Sequence, residues 1–280
     1  MSVTSDTHQD RKVAAGEAPS LPRPQFNIPT RLSSFILVVL LLGLAEYAAR
    51  GGHVSRLILP APSEVVSVLW DGFKSGFLLE HVLSSTYSTL VGFLLGAAIA
   101  IGAAGFLATI PALEKILTPF IVAFQSLPKI AIAPLIVLWL GFGDLSKMTI
   151  VIVVCFFPIM INALQGFKIR DRNHYELFKS LGATRMQMFF GLRLPHAIPY
   201  IFAGLHIGAI FALIGTVVAE FVGTDKGLGY VMLQAKANFD VPSVYACLAL
   251  LMLMGILLNA LMSFLERKVS FWANDVSAMP

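Results

Sequence analysis

Long apolar runs alternate with short polar segments along the chain, at about 32–49, 84–108, 115–141, 148–166, 197–219 and 244–265. A helix that crosses the hydrocarbon core of a bilayer needs ~20 predominantly apolar residues. The second, fourth, fifth and sixth runs meet that length comfortably. The first is marginal, because its unbroken apolar stretch ends at Glu46. Residues 1–31 before it are polar and proline-bearing, too long for the n-region of a signal peptide, so an uncleaved first span behind a flexible cytoplasmic tail is expected. The third run is over-long and carries Pro119, Pro128, Lys129 and Pro134. Proline removes a backbone hydrogen bond and clashes with the preceding turn, so this span is expected to be broken or kinked. The pattern predicts an all-α, polytopic membrane protein with about six transmembrane helices in residues 32–270 and a cytoplasmic C-terminal tail at 271–280.

Composition agrees. Apolar residues make up 57% of the chain and charged residues 13%, whereas a soluble domain is about half apolar and a quarter charged. That leaves too little polar surface to cover a soluble core. Cys155 and Cys247 both lie inside apolar runs. They lack the spacing of a metal site or a disulfide framework and are expected to be packing residues.

The formal net charge of +4 reflects topology rather than nucleic-acid binding. With six spans and a cytoplasmic N-terminus, the inside holds Arg11, Lys12, Arg23, Arg31, Lys115, Lys168, Arg170, Arg172, Lys179, Arg185, Arg193, Arg267 and Lys268. The outside holds Arg50, Arg56, Lys74, Lys147, Lys226 and Lys236. Basic residues favour the cytoplasmic side, so both termini are expected there. Small residues recur at every fourth position in Gly92, Gly96, Ala100, Ala104 and in Gly204, Gly208, Ala212. Such series let helices approach closely in lipid, within one chain or between subunits.

The loop between the fourth and fifth spans, about 167–196, is basic but carries helix signals. Asn173 with Glu176, and Thr184 with Gln187, have capping-box spacing. Gly182 is placed to end the first of two short helices. Leu177, Phe178 and Leu181 fall on one face of that helix. The face must pack on the membrane domain, the lipid surface or a partner protein.

In this loop Glu176-Leu-Phe-Lys-Ser-Leu-Gly182, nine residues, and then Leu192-Arg193-Leu194-Pro195 resemble the EAA loop of ABC-importer permeases. Leu177 and Phe178 replace the two alanines usual after the Glu. Further segments resemble the nitrate/sulfonate/taurine branch of that family: Leu59-Pro-Ala-Pro-Ser-Glu-Val65, Gly92-Phe-Leu-Leu-Gly96, Trp139-Leu-Gly-Phe-Gly143, Ala219-Glu-Phe-Val-Gly223 and Gly227-Leu-Gly-Tyr230. The likeness runs from about 57 to 265.

The resemblance implies a type I ABC-importer, MetI-like permease fold in the bacterial inner membrane. It implies two permease subunits as a homodimer, two cytosolic ABC ATPases and an external substrate-binding protein. Glu176, Leu177, Phe178, Leu181, Gly182, Leu192, Leu194 and Pro195 would make the ATPase-coupling loop. Glu176 is read equally as a helix cap or as a partner for an ATPase arginine. ATP would be used by the partner, and no cofactor is expected on this chain. The group's cargoes point to a small anion such as a sulfonate, taurine, nitrate or a related organic acid.

Within the apolar runs, Gln125, Lys129, Asn162, Gln165, Thr216 and Glu220 are candidates to line a polar pathway. Intramembrane charge is costly and usually functional. The competing readings are snorkelling or a span break for Lys129, helix–helix hydrogen bonds for the amides and Thr216, and capping or packing for Glu220. His206 is read as a buried, hydrogen-bonded residue rather than a ligand. Gly223-Thr-Asp-Lys-Gly227 lacks the spacing of a phosphate-binding loop. No nucleophile–base set is present, so the chain is expected to be a transport subunit and not an enzyme. An ion-coupled secondary transporter is the alternative, which would call for intramembrane acids or inverted repeats.

Overall fold

The structure, a computed structural model, describes residues 30–55, 57–168 and 172–270. The expected tails lie outside the described residues, apart from Thr30 and Arg31. All regular elements among the described residues are helical. In chain order they are α1 (Thr30–Arg50), α2 (Pro62–Lys74), α3 (Phe77–Thr109), α4 (Pro111–Ser126), α5 (Ala133–Leu140), α6 (Asp144–Phe167), α7 (Arg172–Ser180), α8 (Arg185–Met188), α9 (Leu194–Gly223), α10 (Leu228–Ala237) and α11 (Val241–Val269). A 3₁₀ turn, Lys129–Ile132, precedes α5, and a π turn, Phe189–Arg193, joins α8 to α9.

Four helices among the described residues are long and apolar enough to cross a membrane: α3, the α8–α9 continuation, α6 and α11. The broken pair α4 and 3₁₀–α5 makes a fifth, against the six spans expected. Among the described residues, those up to Leu44 form one compact unit and those from Ala45 a second. In the first, every described side chain from Ile36 to Leu44 is exposed, as suits a helix whose solvent is lipid.

In the second unit, α6 is the central helix, packed between α3 and α9. The two small-residue series face it. A Cβ at Gly92 would fall 2.7 Å from Val151, and one at Gly96 would fall 2.6 Å from the Cys155 sulfur. On the other side, Gly208 would meet Ile159 at 2.5 Å and Gly204 would meet the Ile159 backbone at 3.2 Å. Both series therefore serve packing within the chain. Lipid supplies no hydrophobic drive between helices, so this close van der Waals contact holds the three together. Cys155 and Cys247 are free and buried.

The third span is broken, with α4 and α5 bent by 81°. Leu127, the residue before Pro128, is extended at φ −67°, ψ 138°, because the proline ring disfavours helix at that position. Pro134 then lies in the first turn of α5, where its missing N–H costs no intrahelical bond.

Candidate functional site

The loop between α6 and α9 is built of rigid pieces. α7 closes in a Schellman arrangement: Gly182 donates to the Lys179 carbonyl and Ala183 to the Phe178 carbonyl, both at 3.1 Å. The turn requires a left-handed residue, and Gly182 has φ +72°, which costs glycine little and other residues more. Thr184 caps α8 reciprocally. Its hydroxyl accepts from the Gln187 N–H at 3.3 Å, and the Gln187 side chain accepts from the Thr184 N–H at 2.8 Å.

Two local expectations shift. α7 begins at Arg172, so Asn173 stands in its first turn rather than at its cap. The second short helix is one turn that runs through the π turn into α9. Leu192, Leu194 and Pro195 accordingly lie half-buried in the π turn and the first turn of α9. The apolar face of α7 divides. Leu181 and Leu177 are 75% and 54% exposed, whereas Phe178 turns inward against Gly191. Glu176 is exposed on the same short helix.

Beside this loop, Lys168 pairs with Glu114 of α4 at 2.9 Å. Arg193 donates to the Ala108 carbonyl in the last turn of α3.

The opposite end of the bundle carries a buried polar cluster that the motifs did not reveal. Glu220 is 1% exposed. It accepts from the Ser85 hydroxyl at 2.7 Å and from the Gly229 N–H at 2.8 Å. Ser85 in turn accepts from the Leu228 N–H at 2.8 Å, and His81 Nδ1 accepts from the Gly227 N–H at 3.0 Å. Lys147 is equally buried. Its ammonium donates to the Ser84 hydroxyl at 3.0 Å and to the Lys226 carbonyl at 3.3 Å, with Asp144 at 3.5 Å. The segment joining α9 to α10 is thus held between the buried side chains of Glu220 and Lys147. Outside the spans, Lys226 pairs with Glu80 at 2.8 Å, and that hydrogen bond raises the Lys226 pKa above its ordinary value.

The candidate pathway residues fall in different surroundings. Glu220 and Thr216 are 1% and 0% exposed and bonded within the chain, Thr216 sharing a 2.7 Å contact with Thr89, so both join helices. Lys129 sits at the span break, donating to the Gln125 carbonyl at 3.0 Å with its ammonium 5.3 Å from the centre of the Phe157 ring. Asn162 is half-buried and donates to the Pro158 carbonyl at 2.8 Å. Gln125 and Gln165 remain exposed. His206 bridges α9 to α11 through Asn259 at 2.9 Å and Glu266 at 3.0 Å. Among the described residues no group of His, Cys, Asp and Glu could hold a metal.

Residues 92–271 match the family described as the binding-protein-dependent transport system inner membrane component. The chain is 37% identical to the riboflavin transport system permease protein RibX of Chloroflexus aurantiacus, over 85% of this chain and 88% of that one. It is 34% identical to the formylaminopyrimidine transport permease protein ThiX of Halalkalibacterium halodurans, over 77% and 86%. It is 29% identical to the putative aliphatic sulfonates transport permease protein SsuC of Bacillus subtilis, over 87% and 88%. Among solved structures, an inward-facing form of the MetNI methionine ABC transporter shares the fold, with a TM-score of 0.61 at 21% identity over 69% of this chain and 95% of that one.

Proposed function

The chain belongs to the family of binding-protein-dependent transport system inner membrane components, and from that premise we propose that it carries a small organic solute inward under the drive of cytosolic ATPases gripping α7. It is a multi-pass membrane permease subunit of an ABC importer, not an enzyme. The observation that carries the coupling reading is α7. A short helix, stiffened at its end by Gly182, presents Leu177 and Leu181 outward, while its remaining apolar residue anchors it to its own chain. A rigid element of this kind transmits a displacement that a loose loop would absorb. We assign Glu176, Leu177, Leu181 and Gly182 to the contact itself, and Phe178, Leu192, Leu194 and Pro195 to its support.

The bias of basic residues favours a cytoplasmic α7, and both termini share that side if α1 also crosses the membrane. A second copy of this chain completes the pathway, and an external binding protein delivers the solute. The loop at 224–229, held by Lys147 and Glu220, stands at the end facing that protein.

For the cargo, the resembling group leads to the expectation of a small anion such as a sulfonate. Two of the relatives above 30% identity are named for riboflavin and a formylaminopyrimidine, which favours a small nitrogen heterocycle over a sulfonate. Ligand binding to the partner binding protein tests this directly: tighter binding of a heterocycle is expected, and tighter binding of a sulfonate would reverse the assignment. Uptake into proteoliposomes without any ATPase or ATP would instead favour a secondary transporter.

A further inference from the structure

A push on α7 reaches the spans only through what α7 and its stems touch. Three contacts run in series from α7 to α3. Phe178 lies against Gly191, where an added Cβ would sit 3.2 Å from the Phe178 ring. Gly191 is the middle residue of the π turn Phe189–Arg193. That turn also carries Phe189, whose ring stacks on Phe167 at 5.5 Å between centroids and lies 3.5 Å from the place a Cβ on Gly105 would occupy. It ends at Arg193, which donates to the Ala108 carbonyl.

The charges suit these positions. Carbonyls in the last turn of a helix lack intrahelical partners and carry partial negative charge, so a guanidinium there forms a charge-assisted bond. On the other stem, Lys168 directly after α6 holds Glu114, an acid in the first turn of α4 where the helix dipole favours it. Both stems of the loop therefore grip the corner between α3 and α4. Between α7 and the π turn, the Gly182 closure and the Thr184 cap leave no slack. π turns are uncommon and concentrate at functional places in helices.

We propose that Phe178, Phe189 and Arg193 are positioning residues that deliver the displacement of α7 to the α3–α4 corner, making that corner the first part of the membrane domain to move. This rests on α7 being the ATPase contact.

The test uses the full chain assembled with its co-purifying ATPase, spin-labelled at Lys179→Cys, an exposed α7 position outside the assigned contact, or, separately, at Ile110→Cys on the corner. Native Cys155 and Cys247 are buried and stay unlabelled. Spectra are compared without nucleotide and with ATP plus vanadate. Both labels should respond in the parent chain. In Arg193→Gln and in Phe189→Ala the ATPase should still co-purify and the Lys179 label should still respond. The Ile110 response should fall about threefold or more, the scale of coupling through packed networks, and Arg193→Lys should restore part of it. An undiminished Ile110 response in both variants overturns the linkage. A parent chain that holds no ATPase, or a silent Lys179 label, overturns the coupling reading and the linkage with it.

Discussion

Ser85 on α3 donates to the carboxylate of Glu220 on α9 at 2.7 Å across 135 residues of sequence, with both side chains buried. Removing the carboxylate strands the Ser85 hydroxyl and the Gly229 N–H together. Glu220→Ala should therefore cost about 2–4 kcal/mol, as expected when one partner of a buried polar set is deleted. Glu220→Gln keeps an acceptor and should cost less. Thermal unfolding in detergent reads the difference, and equal losses for the two variants would show that the hydrogen bonds contribute little.

Gly227 lies on the same carboxylate. Its φ is +123°, and a Cβ there would fall 2.0 Å from Glu220 Oε1. Gly227→Ala therefore meets backbone strain and a clash at once, and should lower stability by about 2–3 kcal/mol. Gly52, at φ +70° with open space around it, is the control for strain alone. Gly52→Ala should cost about 1 kcal/mol.

The small-residue packing on α6 makes a parallel prediction. Gly208→Leu and Gly96→Leu force side chains into Ile159 and Cys155, and should reduce folded yield or lower Tm through overpacking by about 1–3 kcal/mol or more each. Gly102, on α3 where an added Cβ would meet nothing within 4 Å, should accept Leu with almost no change in Tm. Similar behaviour of Gly102→Leu and Gly96→Leu would refute the assigned packing face.

Gly182 separates conformation from contact. Gly182→Asn, tolerant of a left-handed backbone, should retain more ATPase binding than Gly182→Val, because β-branched residues resist φ +72°. The spans should unfold at the same temperature in both variants, since a Cβ at Gly182 would meet nothing within 4 Å. Equal ATPase binding by Asn and Val at this position would mean that the left-handed turn is dispensable.

Local order was legible in the sequence, and distant pairing was not. The prolines of the third apolar run mark the break at Leu127–Pro128, and Thr184 with Gln187 forms the expected cap, because these signals act within a few residues. The small-residue series mark close packing but cannot name the partner helix. Lys147 reads as a loop cation and Glu220 as a pathway acid, yet both are buried to 1% exposure. What neutralises their cost is hydroxyls and backbone groups of α3 and the 224–229 segment, brought together only by the fold. Likewise, nothing near Arg193 shows that its partner is a carbonyl 85 residues away.

The coupling role of α7 requires that an ATPase grip it. Affinity-tagged chain, extracted from its native membrane, should bring down a cytosolic ATP-hydrolysing subunit. Leu177→Asp with Leu181→Asp should abolish that recovery while leaving the Tm of the membrane domain unchanged, since both side chains are exposed. Equal ATPase recovery from the doubly substituted chain, or none from the parent, would contradict the assignment.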